Sequence, residues 1–531
     1  MTAARIRPRF LDTHEHPYPK HAKIVATLGP ASDPPEMIEK LIKNGVNVFR
    51  LNFSHGPLDA QLVRLERVRE AAIKLRTPVA VMGDLQGPKM RVTKVPDLDG
   101  SGGLMLKTGQ DIVYRKGVDE AYLGKESDDF AAAFGVTFDP MFTDVEVGQR
   151  VLVNDGAIRM LIVGHTPGEE VRCRVTHGGK ISSSKGVNLP ETDLQMPAIT
   201  PKDWECVEWG VKHGIDVFAL SFVRTADEVL ELKNKLKGMC SIDPERGADP
   251  LAHDIPVVTK VEKPQALDNL EEIVQATDGV MVARGDLGVE MDTWHVPVAQ
   301  RHIIEMCADY GKPCIVATQM LETMITEPIP TRAEASDVAN AIFDGADAVM
   351  LSGETAVGSH PDLVVETMNH IIRSAEDWID LQPHEPHAPR KLEDHPHRSA
   401  SMAAGAWHIA TRAKAKLVVV WSQTGGMARY LSQHDFRVPI LAYTSSRTAA
   451  RRMAFFGGVT PLRCDVPKDG LLSTWTDIVA QRIREEGWGE DGDAVLLIAG
   501  KPLGGTTAQD ILAILRLGDP DSGFRAHDRT L

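Results

Sequence analysis

The stretch GVMVARGDLGVEM (279–291) opens on Val280, Met281, Val282 and Ala283, unbroken by charge, and then presents Arg284, Gly285 and Asp286 in succession. A short continuous apolar run is what a strand buried on both faces of a parallel sheet requires. The run therefore reads as a strand that ends by delivering Asp286. Seven further runs of the same kind flank it: KIVATLG (23–29), VNVFRLNFS (46–54), VAVMGDL (79–85), DVFALSF (216–222), PVVTKVE (256–262), KPCIVATQM (312–320) and GADAVMLSGE (345–354). Helix-like segments such as PEMIEKLIKNG and RTADEVLELKNKLKG lie between most of them. Eight alternating units of this type predict an α/β fold, a TIM (β/α)8 barrel.

The spacing breaks once. Residues 89–186 are rich in Gly, Val, Thr and Asp, carry strand-like runs such as RVLVND and VRCRVTHGG, and show no strong helical period. They predict an inserted all-β lid domain on the third βα loop, at the barrel end where active sites form. The barrel is then expected over 21–88 and 187–380, behind an N-terminal arm (1–20). Residues 381–398, rich in Pro and His, read as a linker; His384, His387, His395 and His397 lack a scaffold that would fix them as ligands. A C-terminal open α/β domain is expected over 399–531, with strands LVVVW (417–421), PILAYT (439–444) and AVLLIAG (494–500).

At 531 residues, 43% hydrophobic and 25% charged, the chain has the composition of a soluble protein of about three domains. It has no apolar run of the roughly 18 residues that span a bilayer. Its six cysteines form no CxxC pair, which argues for a reducing, cytoplasmic setting. A net charge of −15 disfavours nucleic acid and anionic membranes as partners. An anionic substrate would have to be captured by local cations.

Such cations and their counterparts gather at the strand ends: Arg50, Asn52 and Ser54; Asp84; Lys260 and Glu262; Asp286; Thr318; Ser352 and Glu354. Glu262 and Asp286 end consecutive parallel strands, about 4.8 Å apart. Two carboxylates that close invite a cation, and Mg²⁺ suits, with Mn²⁺ as the alternative. Lys260 shares a strand face with Glu262. An ammonium beside a metal stabilises an enolate or a phosphoryl group in transfer. This set alone fits a Mg²⁺-dependent aldolase as well as a phosphoryl transferase. There is no P-loop; phosphate recognition would fall to Arg50 and to Arg91 and Lys185, one at each root of the insertion.

Those residues sit in long motifs: KIVATLGPAS, VFRLNFSHG, GVNLP, TKVEKPQALDNLEEI, DGVMVARGDLGVE, and a nearly unbroken run from Lys312 to Pro361. Together they resemble the pyruvate kinase family. The resemblance implies transfer of phosphate from phosphoenolpyruvate to ADP, giving pyruvate and ATP in the final step of glycolysis. It implies Glu262 and Asp286 as Mg²⁺ ligands, a second Mg²⁺ arriving with the nucleotide, and Lys260 stabilising the phosphoryl group and enolate. Arg50 would hold the phosphate, Arg91 and Lys185 the nucleotide, and the Gly285 and Asp286 backbone with the Thr318 hydroxyl the substrate carboxylate. A homotetramer is also implied.

Two departures from the family pattern stand out. Many members hold K⁺ with residues matching Asn52, Ser54, Asp84 and the carbonyl of Leu85, and carry Thr and Glu where this chain has Leu85 and Lys89. A tethered ammonium and K⁺ would repel one another, so Lys89 is expected to replace the ion and K⁺ not to be required. In the last domain, Ser422, Thr424 and Gly425 offer a phosphate cradle for a phosphorylated effector, but Met427 stands where sugar-phosphate binders carry a hydroxyl.

Overall fold

A computed structural model describes residues 19–192, 197–242, 254–382, 389–393, 397–434, 436, 438–505 and 509–525. The N-terminal arm, apart from residues 19–20, and His384, His387 and His395 of the linker lie outside the described residues.

Eight parallel strands close into a barrel: β1 (Lys23–Thr27), β2 (Val46–Asn52), β3 (Ala80–Asp84), β4 (Val217–Leu220), β5 (Val257–Val261), β6 (Gly279–Ala283), β7 (Cys314–Ala317) and β8 (Ala348–Leu351), with β8 pairing back onto β1. Each strand sits inside a run expected from the sequence. Period-two alternation fills the interior with Val25, Val48, Met82, Val258, Met281, Ile315 and Met350. The intervening residues, Ile24, Phe49, Phe218, Val280 and Val316 among them, pack outward against the helices. Each large apolar side chain enclosed this way contributes about 1.5–3 kcal/mol. The helices start where local chemistry tells them to. Thr200 and Asp203 form a reciprocal capping box at Pro201–His213, which ends on Gly214 at φ 78°, and Thr331 with Glu334 does the same for Arg332–Phe343.

The insertion builds its own core around Ile112, Tyr114, Phe134, Phe142, Val151 and Ile162. It forms a seven-stranded sheet and a two-stranded ribbon, with one short helix, Met141–Asp144, among the described residues. Val187–Asn188 pairs with Arg150–Val153 inside that sheet, so the lid's strands run past residue 186, the bound expected from sequence.

The last domain is a five-stranded sheet in the order Val459–Arg463, Ile440–Thr444, Leu417–Trp421, Ala494–Lys501, Gln509–Arg516, the last strand antiparallel. It docks on the N-terminal mouth of the barrel. Phe455 joins the barrel interior, Lys23 Nζ donates to the Val459 carbonyl (2.8 Å), and Arg451 pairs with Asp216 (2.7 Å). The opposite mouth is left to the lid.

Candidate active site

At that C-terminal mouth the strands bring four ionisable groups into direct contact. Lys260 Nζ lies 2.8 Å from Glu262 Oε1 and 3.4 Å from Asp84 Oδ1, and donates to Ser221 Oγ (2.8 Å). Arg50 Nε donates to Asp84 Oδ2 (2.6 Å), and its Nη1 to Thr27 Oγ1 (3.1 Å). All are buried or nearly so. Burial alone would depress Lys260, but the charges of Asp84 and Glu262 outweigh it and raise the ammonium above its usual range. Burial would raise Asp84, yet Lys260 and Arg50 hold its carboxyl below the usual value. Glu262 goes the other way: burial, and then the charge of Asp286, push it up to about 7 even with Lys260 alongside.

Asp286 does not end its strand. β6 stops at Ala283, whose ψ of 76° leaves the extended conformation, and Arg284–Glu290 turns into a helix with Asp286 in its first turn. The half-buried carboxylate still acts electrostatically on Lys260 and Glu262. Glu262 Oε2 accepts from the Phe222 amide (2.7 Å), while Oε1 has no hydrogen-bond partner among the described residues despite its nearness to Lys260. A buried carboxylate whose outer oxygen meets only the Lys260 ammonium, and which a second carboxylate raises, is a donor set that a hard divalent cation would complete. Among the described residues no cluster of three or more His, Cys, Asp or Glu could hold a metal, so further ligands would be water or substrate oxygens.

Thr318 follows β7 at φ 71°; its Oγ1 donates to the Ala317 carbonyl (2.6 Å) and accepts from the Gly285 amide (2.7 Å). A Cβ at Gly285 would stand 3.3 Å from Thr318 Oγ1, so glycine permits this approach. Ser352 and Glu354 serve the loop rather than the cleft. Glu354, fully buried, accepts from the Ser352 and Leu321 amides. At the lid roots the Val92 amide donates to the Lys185 carbonyl (2.8 Å) and Arg91 Nη1 to the Ser184 carbonyl (2.9 Å), which brings Arg91 and Lys185 together. Burial and then the charges of Arg50, Arg91 and Lys89 lower the His55 imidazole, so all three cations act electrostatically on that residue. Around the expected K⁺ region, Asn52 Oδ1 accepts from the Ser54 amide and the Leu85 carbonyl from Ser221 Oγ. Lys89 lines a cavity of about 50 Å³ with Asn188, Phe222 and Lys263. Sequence reading missed Thr27, Ser221 and Phe222, although each lies in a quoted strand run.

A family model described as pyruvate kinase, barrel domain, matches residues 19–365, and one described as pyruvate kinase, alpha/beta domain, matches residues 400–515. The chain belongs to the pyruvate kinase family. It is 37% identical over 505 residues to the pyruvate kinases of Staphylococcus aureus strains MRSA252 and USA300, covering 94% of this chain and 81% of theirs. It is accordingly a phosphotransferase, and phosphoenolpyruvate, ADP, ATP and pyruvate are the substrates and products that membership implies. No described helix of the chain is long and apolar enough to cross a membrane. In its last domain, Gly425 (φ 86°) precedes the helix Gly426–Ser432; Ser422 Oγ accepts from the Ala428 amide and Thr424 is exposed.

Proposed function

We propose that this chain transfers the phosphoryl group of phosphoenolpyruvate to ADP with Glu262 and Asp286 as the ligands of a catalytic Mg²⁺ or Mn²⁺. The observation that carries this reading is the contact of Lys260 with Glu262 under the charge of Asp286, in a pyruvate kinase barrel. The metal, when bound, would neutralise phosphate and carboxylate oxygens of the substrate. Arg50, oriented by Asp84 and Thr27, holds the phosphate. Lys260, kept protonated by Asp84 and Glu262, meets the charge that develops as the phosphoryl group leaves and then steadies the enolate. The Gly285 and Asp286 backbone and the Thr318 hydroxyl grip the substrate carboxylate, and Arg91 and Lys185 hold the nucleotide, whose own Mg²⁺ travels with it. Purified protein given phosphoenolpyruvate, ADP and Mg²⁺ should release pyruvate stoichiometrically with ATP; absence of pyruvate would overturn the reading.

Lys89 is proposed to take the place of K⁺. Its neighbourhood of Arg50 and Arg91 around His55 supports this, because a further monovalent cation would meet like charges. Full activity with only tetraalkylammonium counterions is the expected result, and activity that appears only on adding K⁺ would contradict it. A phosphorylated effector at Ser422, Thr424 and Gly425, a cytoplasmic location and a homotetramer belong to the same proposal.

A further inference from the structure

One buried carboxylate joins the segments that carry both proposed metal ligands to the root of the lid. Glu290 ends the helix Arg284–Glu290, one turn after Asp286, and its side chain is fully enclosed. Its Oε1 accepts from Lys263 Nζ (2.6 Å) and from Asn188 Nδ2 (2.7 Å), while Oε2 has no hydrogen-bond partner among the described residues. Lys263 directly follows Glu262, and its Nζ lies 6.0 Å from the centre of the Phe222 ring. Phe222, held at φ 57°, gives its amide to Glu262 Oε2. Asn188 is in the last strand of the lid sheet.

A carboxylate kept only to neutralise Lys263 would need no second donor on the same oxygen. Here both donors converge on one atom, and they come from the chain beside Glu262 and from the lid. The helix that ends in Glu290 is short and contains Gly285 and Gly288, so its own hydrogen bonds restrain Asp286 weakly. We propose that Glu290 is a positioning residue: its Oε1 fixes the Asp286 helix against the Glu262 segment and the lid root, and so sets the spacing at which the two ligands meet the divalent ion. This rests on the reading of Glu262 and Asp286 as metal ligands.

The geometry separates reach from charge. Glu290→Gln keeps one carbonyl oxygen for both donors and puts its amide nitrogen where Oε2 has no partner. Glu290→Asp keeps the charge but is too short to meet both donors. Binding of Mn²⁺ to the full-length protein, measured by electron paramagnetic resonance alongside thermal unfolding, distinguishes them. Glu290→Asp should weaken Mn²⁺ binding about tenfold, the usual scale for a residue that orients ligands, with the Mg²⁺ dependence of turnover shifting in parallel, and Glu290→Gln should bind like the unsubstituted protein. Glu290→Asp binding normally, or Glu290→Gln binding as weakly as Glu290→Asp, would overturn the proposal. Glu262→Gln and Asp286→Asn serve as controls. If neither weakens Mn²⁺ binding, it is the metal-site reading that fails, and the role of Glu290 falls with it.

Discussion

At the scale of the residue, Lys260 is the group whose loss tells most. Its ammonium is held between Asp84 and Glu262 rather than pointing to solvent, and neither burial nor water would keep it there without those charges. Lys260→Met is expected to lower kcat by on the order of 10²-fold or more, while the KM for phosphoenolpyruvate, which the proposed chemistry assigns largely to Arg50 and the metal, changes less. Steady-state kinetics check this; parallel losses in both would mark the lysine as purely structural. The residues legible in the sequence are those whose type is costly at a strand end: a lysine, an arginine or a carboxylate there asks for a partner. Ser221 and Thr27 carry no such signal. A hydroxyl at the end of a buried strand is ordinary until Lys260 and Arg50 are seen to donate to it.

At the scale of the element, Asp203 shows how a helix start is put to a second use. Its carboxylate completes the capping box with Thr200 and also accepts the amides of Gln86 and Gly87, where the chain leaves β3 for the lid. Asp203→Ala removes a buried acceptor from several donors at once and should destabilise the barrel by about 3 kcal/mol. Urea denaturation measures it, and a loss below about 1 kcal/mol would contradict the assignment. The barrel strands are legible because they are apolar on both faces and bounded by charge or glycine. Arg284–Glu290 is not, since a seven-residue helix with two glycines offers neither propensity nor period, and Asp286 consequently reads as a strand end. Val459–Arg463 escapes a sequence reading for a related reason: it is short and contains Pro461, tolerated at the edge of the sheet. Gln509–Arg516 is a half-exposed edge strand at the other side, without the continuous burial of the central ones.

At the scale of the whole molecule, Asp216 ties two domains. Fully buried, it accepts from Arg69 of the helix Leu58–Leu75 (2.8 Å), from the Val81 amide (2.8 Å) and from Arg451 of the C-terminal domain (2.7 Å). Burial would raise its carboxyl, but Arg451 and Arg69 hold it below the usual value. A carboxyl depressed in the folded state contributes stability that is present above its unfolded pKa and lost as pH falls through the lower folded one. Arg451→Met should therefore move the acid-unfolding midpoint to higher pH. At neutral pH it should also cost about 3 kcal/mol, since it strands part of a buried charge. An unchanged acid midpoint in circular dichroism would contradict this coupling of the C-terminal domain to the barrel floor. The active site is at the other end of the barrel, so kcat with saturating substrates should change far less than stability.

Whether Glu262 and Asp286 together hold the divalent ion beside Lys260 decides the proposed chemistry, and a crystal structure with Mg²⁺ and oxalate measures it. One oxygen from each carboxylate is expected at about 2.1 Å from the ion, with oxalate and water completing the shell. An ion bound elsewhere, with the two carboxylates turned apart, would contradict it.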